Sequence, residues 1–272
     1  MARFRRNRDP EGRMTLGAHL RELRRRTVVS SLAIVAGAVV GGLRYQEIYD
    51  QLTYPIRALA ASKRGGAIAS VNFAQVTDPF STFITVSLFV GILVSSPVWL
   101  YQIWAFIVPG LTKKEKRLSM AFVAAAVPLF IAGCYLAYAV LPRAVETLIG
   151  FAPETASNLL ETVIYLSFVV KLILAFGAAF LLPVFLVGMN ALGVLPSRVM
   201  IKGWRVAVFL CFLFTAIMTP TPDPYMMILM ALPMVALYFL AVGIAWLIDR
   251  RRAKRDASLG WLSVPDDQAS AL

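Results

Sequence analysis

Charge is what this chain has least of. Asp, Glu, Lys and Arg make up 15% of its 272 residues and hydrophobic types 59%, whereas an average soluble domain is about 25% charged and about 45–50% apolar. So little charge cannot cover a water-facing surface, and the long apolar runs place the chain among integral membrane proteins. Histidine is scarcer still: His19 is the only one, which excludes an HExxH zinc site and argues against a Ser–His dyad. Cysteine is limited to Cys134 and Cys211, both inside apolar runs and without CxxC spacing. They read as small buried hydrophobes, so neither a disulfide framework nor a metal site is indicated. GxSxG and glycine-rich phosphate loops are missing, and no Asp or Glu stands at the centre of an apolar run to abstract a proton. The sequence therefore supports no enzyme, no metal and no cofactor.

Positive charge, by contrast, is in excess. A net charge of +12 would suggest nucleic acid in a soluble chain. Here the basic residues fall in short segments between apolar runs, where they set orientation and meet anionic lipid, so nucleic acid is not the expected partner.

Six apolar segments stand out, at 27–43, 80–108, 118–141, 163–195, 204–219 and 225–248. About 20 helical residues cross the roughly 30 Å of hydrocarbon. The second and fourth segments exceed that and must tilt or kink, with Pro97 and Pro183 as places to do so. The fifth is short, which predicts local thinning of the bilayer beside it. Ahead of the first span, Leu16, Leu20 and Leu23 recur at helical spacing among charged residues, which predicts an amphipathic helix on the membrane surface. Residues 1–14 form a basic segment with no cleavable signal peptide expected. Residues 15–250 form the transmembrane domain, and 251–272 read as a disordered tail.

Lys and Arg counts set the orientation. With the N-terminus inside, twenty-one of the 27 basic residues fall in inner segments and five in outer ones, so both termini are expected to be cytoplasmic. The largest outer loop, 44–79, carries turn signals at Tyr54-Pro55, Gly65-Gly66 and Asp78-Pro79. A second outer loop is expected over 142–162, and a third, Thr219–Pro224, is too rich in proline to be helical. From Pro97 to Arg117, a run studded with Trp99, Tyr101, Trp104 and Phe106 breaks at Pro109-Gly110 and passes into Lys113, Lys114, Glu115, Lys116 and Arg117. That order predicts an aromatic girdle at headgroup level above a basic inner face.

The remaining ionisable groups leave two readings open. Lys171, the one charge inside a span, either snorkels to the headgroups or takes part in a functional ion pair. Glu22 and Glu115 each lie among basic residues and either neutralise them locally or form a receptor for a cationic, apolar peptide, whose guanidinium groups a carboxylate binds bidentately. A secondary transporter is the rival class. It predicts polar groups near the midplane and repeated halves with broken helices.

The stretch HLRELR from His19 to Arg24, then SPVWLYQIWAFIVPGL from Ser96 to Leu111 followed by KEKR from Lys114 to Arg117, resembles the signature of the TatC family of the twin-arginine translocase. Tyr54-Pro55, Tyr165 to Phe168, Ala175 to Gly177 and Thr219 to Asp223 match it as well, so the likeness spans residues 15–250. The resemblance implies a cup-shaped bundle of six transmembrane helices in the bacterial cytoplasmic membrane. It implies a non-enzymatic, oligomeric receptor for twin-arginine signal peptides. Such a receptor acts with TatA- and TatB-type partners to export folded proteins on the proton-motive force. It further implies signal-peptide contacts at Glu22, Arg24, Phe106 and Glu115, and structural or assembly roles for Pro55, Pro97, Tyr101, Trp104, Pro109 and Asp223. One departure stands in the fourth span: the family's Phe-Glu-x-Pro pattern reads Phe180-Leu181-Leu182-Pro183 here.

Overall fold

The computed structural model describes residues 16–61, 70–107, 113–150, 159–219 and 223–258. The basic segment 1–14 and Pro109 lie outside them. Helix α1 (Leu16–Leu43) is unbroken. The amphipathic segment expected on the membrane surface therefore shares one axis with the first span; no proline lies between them to turn the chain. Outward from that axis α1 shows Val28, Leu32, Val35, Val39 and Leu43, all exposed, as a lipid-facing helix must. Inward it shows Gly37 and Gly41. A Cβ on Gly37 would meet the Gly91 carbonyl of α3 (Asp78–Val94) at 2.9 Å, so the two backbones touch, the close approach that small residues at four-residue spacing allow between membrane helices.

Where turn signals stood at Tyr54-Pro55, the chain is helical: α2 (Tyr45–Ala61) carries a buried Pro55 inside it. A proline there has no N–H for the Gln51 carbonyl and its ring crowds the preceding turn. Tertiary partners repair the defect. Tyr138 of α5 (Lys113–Gly150) donates its hydroxyl to the Gln51 carbonyl at 3.3 Å, and Tyr165 of α6 (Thr162–Ala191) donates to the Leu52 carbonyl at 3.0 Å. Tyr165→Phe is accordingly expected to destabilise the detergent-solubilised protein by about 0.5–1.5 kcal/mol, because it removes a buried hydrogen bond. Tyr138→Phe, with the longer and exposed bond, should cost visibly less; equal shifts in the two thermal unfolding curves would contradict this clamp.

The second expected span, 80–108, is broken into α3 and α4 (Ser96–Ile107), bent by 62° at Ser95. Pro97 opens α4 and cannot donate to the preceding turn. The break frees the Ile92 carbonyl, which the Trp99 indole N–H takes up at 2.9 Å.

α5 runs past the expected end at 141 and through Pro142 to Gly150, so the outer loop predicted over 142–162 begins as helix. A two-stranded parallel ladder then ties the outer connections: β1 (Ser70–Asn72) pairs with β2 (Leu159–Glu161). The Thr162 hydroxyl bonds the Asn72 carbonyl at 2.8 Å beside it. Three-residue strands carry no legible alternation; apart from this short ladder the described elements are helices, as the sequence predicts. Asp78 is buried and caps this corner by accepting from the Ala74 and Gln75 N–H groups.

α6 is the central post, packed against α3, α5 and α9 (Pro224–Ser258). Leu181, standing where the family carries its glutamate, is buried on it. A short α7 (Ser197–Lys202) and α8 (Trp204–Met218) complete the chain order. α9 passes the boundary at 250, so the predicted tail is helical as far as Ser258; no breaker precedes Gly260, and Arg250 to Arg255 suit a helix C-terminus. Among the described residues α1, α5, α6 and α9 are long and apolar enough to cross a membrane, and the bent α3–α4 pair makes a fifth candidate. The protein is a multi-pass membrane protein. α8, with 15 residues, reaches only about 22 Å.

Candidate functional site

His19, Glu22 and Arg26 recur at three- and four-residue spacing and so share one stripe of α1. That stripe faces α4. The His19 ring stacks on Phe106 with centroids 4.4 Å apart, and Arg26 donates to the Gln102 Oε1 at 3.1 Å. The other Arg26 nitrogen reaches the Glu22 Oε1 at 2.6 Å; the two side chains retain only 18% and 27% of their exposure. A carboxylate, an amide oxygen and two rings thus meet along the seam between α1 and α4, with a guanidinium of α1 bonded between the first two. The fit is imperfect, since the buried Arg26 Nε has no hydrogen-bond partner.

The structure sorts the other residues. Arg24, two positions from Glu22, is exposed and off that stripe. Glu115 lies in the first turn of α5, its side chain outside the described residues. Trp104 corrects the girdle prediction. It is fully buried, stacked on Phe122 of α5 at 4.0 Å, and so faces the inside of the bundle and not the lipid. Gly188 of α6 opens the space it fills: a Cβ there would lie 2.3 Å from the indole. Tyr101 is half-buried, Pro97 is exposed, and Trp99 packs edge-on against Phe130. Lys171 is exposed on α6 and makes no ion pair among the described residues.

The family profile described as Sec-independent protein translocase protein (TatC) matches residues 18–233. The chain belongs to the TatC family. It is 46% identical over 245 residues to the Sec-independent protein translocase protein TatC of Xylanimonas cellulosilytica, covering 90% of this chain and 88% of that one. It is 38% identical to the TatC protein of Frankia casuarinae, covering 99% of this chain and 76% of that one. A crystal structure of the twin-arginine translocase receptor TatC superposes with a TM-score of 0.67 at 32% identity, covering 85% of this chain and 99% of that one. TatC proteins are non-enzymatic components of a protein translocase, which replaces the rival reading as a small-solute transporter.

Family membership gives the remaining positions a physical setting. Pro55 is the tyrosine-clamped point of α2. Asp223 opens α9, its Oδ1 accepting from the Tyr225 N–H at 2.9 Å and its carbonyl from the Met227 N–H at 3.2 Å. Two features escaped the sequence reading. Gln102 looked like one more polar residue in an aromatic motif, and only the bend at Ser95 turns it toward α1. The second is a polar knot joining α6, α7 and α9. Buried Asn190 donates to Asp249 at 3.0 Å, the Ser197 N–H donates to the same carboxylate at 2.7 Å, and Arg252 donates to the Ala191 carbonyl at 2.9 Å. Asn190 is a lone amide in an apolar span, and its partner stands 59 residues away.

Proposed function

We propose that this TatC family member is the receptor for twin-arginine signal peptides in a bacterial cytoplasmic membrane, acting with TatA- and TatB-type partners to export folded proteins on the proton-motive force. One observation supports the reading: along the seam of α1 and α4, the Glu22 carboxylate and the Gln102 oxygen already bind a guanidinium, that of Arg26. Acceptors placed to bind the chain's own arginine suit a peptide's, and charge-assisted bonds to a carboxylate suit the planar fork better than an ammonium.

Glu115 is the second acidic contact in this proposal. Its helix starts within six residues of the end of α4 and packs on it through Trp104 and Phe122, which puts Glu115 about 10 Å beyond Phe122 along α5. Arg24 lies at the rim and contacts the peptide backbone. α8 crosses as the fifth of six spans, beside a thinned bilayer, with both termini cytoplasmic.

The test is peptide binding by the full-length purified protein. A labelled twin-arginine peptide should bind, and replacing both of its arginines by lysine should lower affinity at least tenfold. Equal affinity for the two peptides would overturn the proposal.

A further inference from the structure

At the end of the bundle where α6 turns through α7 into α8, an apolar groove of about 330 Å³ opens between Ile201, Trp204, Phe239 and Val242. Its walls are fixed. Tyr238, buried beside it on α9, donates its hydroxyl to the Met200 carbonyl of α7 at 2.7 Å, which holds the two helices together. The Trp204 and Phe239 rings pack on each other, centroids 6.3 Å apart at 44°, and line the groove together; both remain nearly half exposed.

Two cations lie beside it in the chain. The Arg205 guanidinium lies 5.7 Å from the Trp204 ring centroid, and Lys202, next in sequence to Ile201, is exposed. Among the described residues neither forms an ion pair. An exposed apolar slot beside two uncompensated cations has a definite complement: a chain of methylenes ending in an anion.

The size narrows the occupant further. Taking each methylene at about the 30 Å³ of a water molecule, the groove holds on the order of ten. A partner helix, about 10–12 Å across with its side chains, is too broad for a slot of four residues. We infer that the groove between α7, α8 and α9 is a binding site for an anionic phospholipid, with one acyl chain lying against Ile201, Trp204, Phe239 and Val242 and the phosphate held by Lys202 and Arg205. The inference depends neither on peptide recognition nor on which leaflet this end faces.

Native mass spectrometry of the full-length protein in neutral detergent reads the site directly, with phosphatidylglycerol and phosphatidylcholine of identical chains as probes. Two cations near the headgroup correspond to a preference of about 30-fold for the anionic lipid. The Lys202→Gln/Arg205→Gln protein should retain at most a fewfold preference. Ile201→Trp, which fills the slot from its exposed edge, should lower retention of both lipids. Glycerol phosphate, the headgroup without chains, should compete poorly. Equal retention of the two lipids by the parent protein overturns the proposal, as does a preference that survives the double substitution. Retention indifferent to Ile201→Trp, or glycerol phosphate binding as tightly as the lipid, would mean charge attraction without a slot and equally overturns it. So would a single-span helical peptide that crosslinks at Phe239 and is not displaced by phosphatidylglycerol.

Discussion

Glu22→Ala should lower affinity for a twin-arginine peptide by about 10- to 100-fold, the loss of one desolvated charge-assisted contact worth about 1.5–3 kcal/mol. Arg26→Gln should do the opposite. In the resting protein Arg26 occupies the Glu22 carboxylate and the Gln102 oxygen, so an incoming arginine has to displace it. The pair is partly solvated and worth about 0–1 kcal/mol, which translates into a gain of up to about fivefold when it is removed. Displacement also releases the Arg26 Nε from a buried position where nothing accepts its proton. The divergence separates a surrogate from a structural clip. If Arg26→Gln weakens peptide binding as much as Glu22→Ala does, with both proteins folded, the ion pair merely fastens α1 to itself. Added salt should weaken binding less than a bare ion-pair account expects. The inner segments hold twenty-one basic residues, and screening relieves their repulsion of a cationic ligand at the same time as it weakens the short-range contact.

The sequence was most informative where one physical demand acts along a continuous stretch. Apolar length reports hydrocarbon thickness, so α5, α6 and α9 were legible as spans with errors only at their ends. Lys and Arg placement and the residues around Glu22 and Phe106 pointed to one end of the bundle as the site. Features set by two distant stretches were not legible. Tyr54-Pro55 reads as a turn because a proline normally ends a helix, yet Tyr138 and Tyr165 supply the bonds that let α2 continue. Trp104 reads as a headgroup aromatic because tryptophan prefers that depth. Only Gly188, eighty-four positions later, makes room for it in the interior. Within the site, the sequence reading placed Glu22 among charged residues around a leucine stripe without separating His19, Glu22 and Arg26 from the rest, and Gln102 is a partner only because α4 packs on α1.

That pairing of Trp104 with Gly188 leads to the second large effect. The indole is closed in on one face and at its outer edge: Phe122 stacks on the face at 4.0 Å and 13°, and a Cβ on Gly188 would lie 2.3 Å from its Cη2 and 2.5 Å from its Cζ3. Alanine normally improves a helix by about 1 kcal/mol over glycine. Here overpacking, costing about 1–3 kcal/mol and more where nothing can yield, outweighs that gain, so Gly188→Ala should lower the thermal midpoint. Gly188→Leu should leave little folded protein. Trp104→Leu alone loses much of a large buried side chain, a change that costs about 3–5 kcal/mol when carried all the way to alanine. Combined with Gly188→Ala it should recover part of the loss, a coupling of about 0.5–3 kcal/mol in the double-mutant cycle. The consequence reaches the seam between α1 and α4. Gln102 and Phe106, four apart, share the face of α4 that meets α1, while Trp104 between them points to α6. Pushing Trp104 outward turns α4 and draws Phe106 off the His19 ring. Gly188→Ala should therefore weaken peptide binding although Glu22, Gln102 and Phe106 are all intact. A Gly188→Ala protein as stable as its parent, binding peptide with unchanged affinity, would show that α4 is not held by this contact.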